Sequence, residues 1–239
     1  MKIVATSKIR VKTVLSLILI SVFGILVSGT VMVMKDKAVE VSAEPEFRTV
    51  IIDAGHGGVD GGTSADDGTL EKDLKLDEIL RSMGVNTVLI RSEDVSIHDD
   101  SATTIRQKKV SDLKNRLSII NNSDDSIFVS IHQNHFGQSQ YCGTQIFYSK
   151  NNSQSRTLAD KIRMPVISYL QKDNTREIKQ SGTEIYLLHH AQIPSVMVEC
   201  GFLSNPEEAN NLKNEKYQQK LAFLIAIGII DFFTDTEEL

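Results

Sequence analysis

The chain has 239 residues, 41% of them hydrophobic and 24% charged, with a formal net charge of −5. That composition fits one globular domain or at most two small ones, and it excludes a wholly disordered or collagen-like chain. Two cysteines cannot build a disulfide framework or a four-cysteine zinc site, and a chain without tryptophan and with 6% aromatics is a poor aromatic platform for sugars or nucleic acid.

Residues 14–34 carry no charged side chain. At about 1.5 Å per residue such a helix crosses a bilayer core of about 30 Å. Lys2, Lys8, Arg10 and Lys12 precede it with no acid between them, a bias that holds the amino terminus in the cytoplasm and sends the rest of the chain outward. The spacing therefore predicts a cytoplasmic basic segment (1–13), a single transmembrane anchor or signal sequence (14–34), a linker (35–46) and an exported domain (47–235). Val27-Ser28-Gly29 and Val41-Ser42-Ala43 each offer a small residue for cleavage, which would secrete the domain, whereas the length of the run favours an uncleaved anchor. The first 43 residues carry a net charge of +4 and the remainder −9. An acidic exported domain is ill suited to nucleic-acid phosphates.

Within that domain, short apolar runs predict strands at 49–53, 86–91, 127–132, 144–148, 184–188 and 195–199. Helical patterning covers 71–83, 105–121, 153–172, 206–213 and 217–233. Asn205-Pro206 reads as an N-cap followed by proline at the first helical position, and Pro165 is expected to kink the helix that contains it. The β–α alternation predicts an α/β fold of three layers, α/β/α, around a mainly parallel sheet of about six strands. Ligands of such sheets gather beyond the carboxyl ends of the strands.

Three of those ends carry polar chemistry. The first strand runs into Asp53-Ala54-Gly55-His56-Gly57-Gly58. The third ends in Ser130-Ile131-His132-Gln133-Asn134, where alternation puts Phe128, Ser130 and His132 on one face. The last is apolar until Glu199. Glu71 opens the first helix. Two histidines and a carboxylate with one position left for water would make a catalytic zinc shell. The gaps from His56 to Glu71 and on to His132 are 15 and 61 residues, so spacing alone leaves alternatives open. Rim histidines with ordinary hydrogen bonds account for the imidazoles, the helix dipole accounts for Glu71, and a salt bridge accounts for Glu199.

Together these segments resemble the zinc-dependent N-acetylmuramoyl-L-alanine amidases of the amidase-3 family. The matching blocks are Val50-Ile51-Ile52-Asp53-Ala54-Gly55-His56-Gly57-Gly58, Leu70-Glu71-Lys72-Asp73, Phe128-Val129-Ser130-Ile131-His132-Gln133-Asn134 and Val198-Glu199-Cys200-Gly201-Phe202-Leu203-Ser204-Asn205. The likeness spans about residues 49–233. It implies that His56, Glu71 and His132 bind Zn2+, that Glu199 is the catalytic acid/base, and that the bond cut joins the lactyl group of N-acetylmuramic acid to L-alanine in peptidoglycan. Asn134, Arg91 and Arg116 fit the family pattern as substrate-binding candidates, a local turn bond being the other reading of Asn134. The region from Ile105 to Arg116 is similar to germination-type amidases of endospore formers. That implies spore cortex as substrate, with the domain facing the wall side or the intermembrane space of the forming spore. An activating protein partner is compatible with the resemblance.

The chain departs from the family after Glu71, where Gly84 follows within 13 residues and the family helix runs about two turns longer. Losing about seven residues keeps the apolar face in phase, so Leu74, Ile79 and Leu80 are expected to face the sheet. A membrane-anchored peptidoglycan-binding module that has lost activity through this shortening is the alternative function. Cys200 as a thiol nucleophile with His190 as base is a rival chemistry, and a Cys142–Cys200 disulfide is conceivable outside the cell. His98 and His135 are expected in solvent. His189 and His190 are expected after a strand, either within reach of substrate or packed in a loop.

Overall fold

The computed structural model describes residues 49–55, 75–91 and 95–236. The proposed membrane segment, His56 and Glu71 lie outside them. Among the described residues no helix is long and apolar enough to cross a membrane.

Parallel strands covered on both faces carry unbroken apolar runs. Val50-Ile51-Ile52 and Ile127-Phe128-Val129 are such runs, and every one of these residues is buried. They are the centres of β1 (Thr49–Ala54) and β3 (Ser126–Asn134). With β2 (Asn86–Leu89), β4 (Gln145–Tyr148), β5 (Lys179–Gln180) and β6 (Ser195–Phe202) they form a six-stranded sheet in the order β2-β1-β3-β6-β4-β5. The first four of that order run parallel, whereas β4 is antiparallel to β6 and carries β5 parallel to itself. The mainly parallel sheet expected from the sequence is present, and β1, β3 and β6 bring their carboxyl ends to one edge.

The helices are α1 (Leu76–Ser82), α2 (Ile105–Asn121), α3 (Gln154–Tyr169), α4 (Tyr186–His190), α5 (Pro206–Lys213) and α6 (Glu215–Thr236). One face of the sheet, with Val50, Ile52, Val129, Ile131, Val196 and Val198, packs on Leu80 of α1, Ile162 of α3 and Ile225 of α6. The other face, with Ile51 and Phe128, packs on Ile120 of α2 and on Leu187 and Leu188 of α4.

Local signals account for the helix ends. Thr104 accepts the Gln107 N–H at 3.2 Å while the Gln107 side chain accepts the Thr104 N–H at 3.0 Å, a reciprocal capping box that starts α2. Asn205 Oδ1 accepts the N–H groups of Glu207 and Glu208 at 3.0 and 3.2 Å, so the Asn205-Pro206 signal starts α5 as expected. Gly84, at φ +83°, follows α1 in the left-handed conformation that glycine tolerates. Leu76 and Leu80 are the buried residues of α1, with Ile79 beside them; Leu74 lies outside the described residues. α3 continues through Pro165.

The expected strand at 184–188 is a correction. Ile185 is the N-cap, and Tyr186, Leu187 and Leu188 lie in the short helix α4, held by His189 N–H to Ile185 O at 2.9 Å and Ala191 N–H to Leu187 O at 2.8 Å. Leu187 and Leu188 are adjacent apolar residues, and one helical turn buries both against the sheet. A run this short does not separate the two periods.

Candidate active site

The site is built where β1, β3 and β6 end. Register pairs Asp53 with Ser130 and His132 with Glu199. Side chains alternate along each strand, so Asp53, Ser130, His132 and Glu199 share the face that carries Ile51 and Phe128 lower down. β4 extends the row, because Gln145 is the antiparallel partner of Glu199. Gln145, Glu199 and His132 thus stand side by side across three strands.

Gly55 supplies the floor beside His132. A Cβ at Gly55 would lie 2.2 Å from His132 Cε1 and 2.4 Å from each ring nitrogen. The glycine before His56 is therefore required by the imidazole of another strand. Its N–H donates to Ile131 O at 2.8 Å, and Arg91 Nη2 donates to Ala54 O and, at 3.3 Å, to Gly55 O. Arg91 clamps the end of β1.

Below the row lies a buried polar chain. His132 Nε2 is 3.0 Å from Ser130 Oγ, and that hydroxyl is 3.4 Å from Asp53 Oδ2. Arg116 Nη1 donates to Asp53 Oδ1 at 2.8 Å and its Nε to Asp112 Oδ2 at 2.7 Å. Asp112 Oδ1 also accepts Ile97 N–H at 2.7 Å and Ser96 Oγ–H at 3.0 Å. Burial pushes the Asp53 carboxyl above the ordinary carboxylate range, against the pull of the Arg116 and Arg91 guanidiniums.

Glu199 has a different environment. Its Oε2 is buried with no hydrogen-bond partner among the described residues, and burial raises its pKa to about 7. A carboxyl that exchanges its proton near neutrality is suited to general acid/base work. Gln145 Nε2 donates to Glu177 O at 2.6 Å, while its buried Oε1 likewise has no partner among the described residues.

Residues 50–231 match the Amidase_3 family, N-acetylmuramoyl-L-alanine amidase. The chain belongs to this family. It is an N-acetylmuramoyl-L-alanine amidase. A germination-specific N-acetylmuramoyl-L-alanine amidase of Bacillus subtilis is 31% identical over 197 residues, which cover 79% of this chain and 81% of that protein. Among solved structures, the CwlD amidase from Clostridioides difficile in complex with the GerS lipoprotein superimposes with a TM-score of 0.74 at 43% identity, covering 79% of this chain and 99% of that one. AmiC2 of Nostoc punctiforme, also an N-acetylmuramoyl-L-alanine amidase, gives 0.65 at 27% identity, covering 80% and 99%.

Within this amidase the sequence candidates fall into three groups. His132 and Glu199 come together. His56 and Glu71 lie outside the described residues, and among the described residues no group of three His, Cys, Asp or Glu side chains could hold a metal. Arg116 is 4% exposed and engaged by two carboxylates, a brace beneath the strand ends. Asn134 pairs with Phe202 beyond the register shift that follows His132, and its carbonyl accepts Leu203 N–H at 2.7 Å.

The thiol chemistry is overturned. Cys200 is buried on the sheet face opposite Glu199, whereas His190 lies on α4 across the sheet. Cys142 is exposed and forms no disulfide with Cys200. His98 is half-buried, its Nδ1 2.9 Å from Ser96 Oγ, where solvent was expected. His189 and His190 belong to α4 and stack edge to face at 4.8 Å. Asp53, Ser130 and Gln145 are additional site residues. Strand alternation already put Ser130 on the His132 face; nothing in the sequence aligned Gln145 with Glu199, because that needs the antiparallel register of β4.

Proposed function

We propose that this amidase is zinc-dependent and acts on spore-cortex peptidoglycan. The observation that carries the reading is the His132–Glu199 pair at the strand ends: an imidazole over a glycine floor, beside a buried carboxyl oxygen with no partner among the described residues. These features fit a metal site, since two imidazoles and a carboxylate are a zinc donor set. His56, Glu71 and His132 would hold the ion. When bound, zinc polarises the amide carbonyl and makes water more acidic.

The chain's own residues do the rest. Glu199, with its proton affinity set near neutrality, takes a proton from the attacking water and returns it to the departing L-alanine nitrogen. The products are a lactyl carboxyl on the muramic acid and a free amino terminus on the stem peptide.

The germination-specific relative and the CwlD likeness support the cortex as substrate. The solved complex of that amidase with a lipoprotein supports extending the expected protein partner to this chain. The charge-free run 14–34 supports a membrane tether with the domain outside the cytoplasm.

The test is metal content and turnover in the wild type, His132→Ala and Glu199→Ala. The expected result is about one zinc per wild-type chain, loss of cleavage with chelator and its return with zinc, with His132→Ala losing metal and activity and Glu199→Ala losing activity alone. Full cleavage by a metal-stripped wild type would overturn the zinc reading.

A further inference from the structure

We infer that Ser130 is a positioning residue that fixes the tautomer of His132 and so selects which ring nitrogen is offered to a metal. This rests on the reading of His132 as a zinc ligand. Ser130 Oγ has a single hydrogen to donate, and two groups lie within its reach, Asp53 Oδ2 at 3.4 Å and His132 Nε2 at 3.0 Å.

Asp53 is held by Arg116 through its other oxygen, at 2.8 Å, with both side chains no more than 5% exposed. Burial raises this carboxyl, but the permanently charged guanidinium held against Oδ1 opposes its protonation, and a hydroxyl donates more strongly to a charged acceptor than to a neutral one. The Ser130 hydrogen therefore goes to Asp53. Ser130 Oγ is left to accept, and the atom it accepts from is His132 Nε2–H. A neutral imidazole carries one N–H, so with the proton on Nε2 the ligating lone pair belongs to Nδ1.

The rest of the buried chain makes this arrangement stiff. Arg116 is itself fixed by Asp112, and Asp112 by the Ile97 N–H and the Ser96 hydroxyl. Ser130 is fully buried, so water does not compete for its hydroxyl. A second partner on the non-ligating nitrogen is the usual way in which an imidazole is oriented toward a metal. Here the orienting group is a strand neighbour two residues back, and the charge that sets its direction comes from β1 and α2.

The experiment has two readouts on the full-length chain. Nitrogen-15 NMR of the histidine rings in metal-free protein reports the tautomer without zinc or activity. Zinc affinity by chelator competition is measured for the wild type, Ser130→Ala and Ser130→Thr. The expected result is the Nε2–H tautomer in the wild type and loss of that single tautomer in Ser130→Ala, with zinc affinity falling about 10–100-fold. Ser130→Thr, which keeps the hydroxyl, restores both. An Nδ1–H tautomer in the wild type overturns the inference, as does a Ser130→Ala chain with unchanged tautomer and affinity. A wild type that takes up no zinc overturns the zinc reading, and the tautomer in metal-free protein still decides the role of Ser130.

Discussion

The two faces of the sheet obey different rules along the same strands. On the face toward α1, α3 and α6, β3 presents Ile127, Val129 and Ile131, and β6 presents Val196, Val198 and Cys200, all buried. On the face toward α2 and α4, apolar Ile51 and Phe128 give way at the carboxyl ends to Asp53, Ser130, His132 and Glu199. The first face is a packing surface throughout. The second stops being one within a single pair of residues, and there the protein gives up apolar burial for groups that are costly to bury. The difference shows where chemistry can be placed: on strands anchored by a full core on one side, so that the other side can hold charges.

The largest expected effect is on turnover. Glu199→Ala should slow amide cleavage about 10²–10⁴-fold, while far-ultraviolet circular dichroism stays unchanged. Cleavage at the wild-type rate would remove Glu199 from the chemistry.

Removing the brace should hurt the polar face through stability. Arg116→Ala leaves Asp53 and Asp112 buried without their cation, and urea unfolding should show a loss of about 3–5 kcal/mol. A loss below about 1 kcal/mol would mean that water reaches these carboxylates.

The apolar face gives the matching control. Ile162→Ala in α3 removes a fully buried side chain and should cost about 2–5 kcal/mol in the same assay. Turnover per folded molecule should stay at the wild-type value, since the cavity opens on the opposite side of the sheet. A parallel fall in turnover would show that the two faces are coupled.

A pH-dependent comparison isolates the buried acid. The folded carboxyl of Glu199 sits at about 7, against an ordinary 4.5. The folded state therefore keeps a proton that the unfolded chain releases, and stability falls as pH rises through that window. Glutamine has no proton to lose. Metal-free Glu199→Gln should thus exceed wild type above pH 7 by on the order of 3 kcal/mol, and the advantage should vanish below about pH 4.5. Urea midpoints across pH measure it; an advantage that is independent of pH would place the carboxyl in contact with solvent.

Much of this was legible in the sequence where the signal is local. Apolar runs marked β1, β3 and β6, and Asn205 with Pro206 marked a helix start through neighbouring side chains. Alternation put His132 and Ser130 on one face. What escaped was long-range or too short to carry a period. Nothing in the sequence around Arg116 points to Asp53, 63 residues away, which the fold brings to within 2.8 Å. β5 is two exposed residues, and the run that forms α4 fits a strand equally well. Gly55 stands in the sequence as one of the glycines around His56, whereas its constraint is the His132 ring lying against it.

Whether Glu199 cuts the lactyl–alanine amide is decided by mass spectrometry of cortex muropeptides after incubation with the zinc-loaded chain and with its Glu199→Ala variant. The expected products are free stem peptides with an L-alanine amino terminus and muramic acid with an unsubstituted lactyl carboxyl, from the wild type alone. Cuts within the peptide or the glycan, or equal products from the variant, would contradict that assignment.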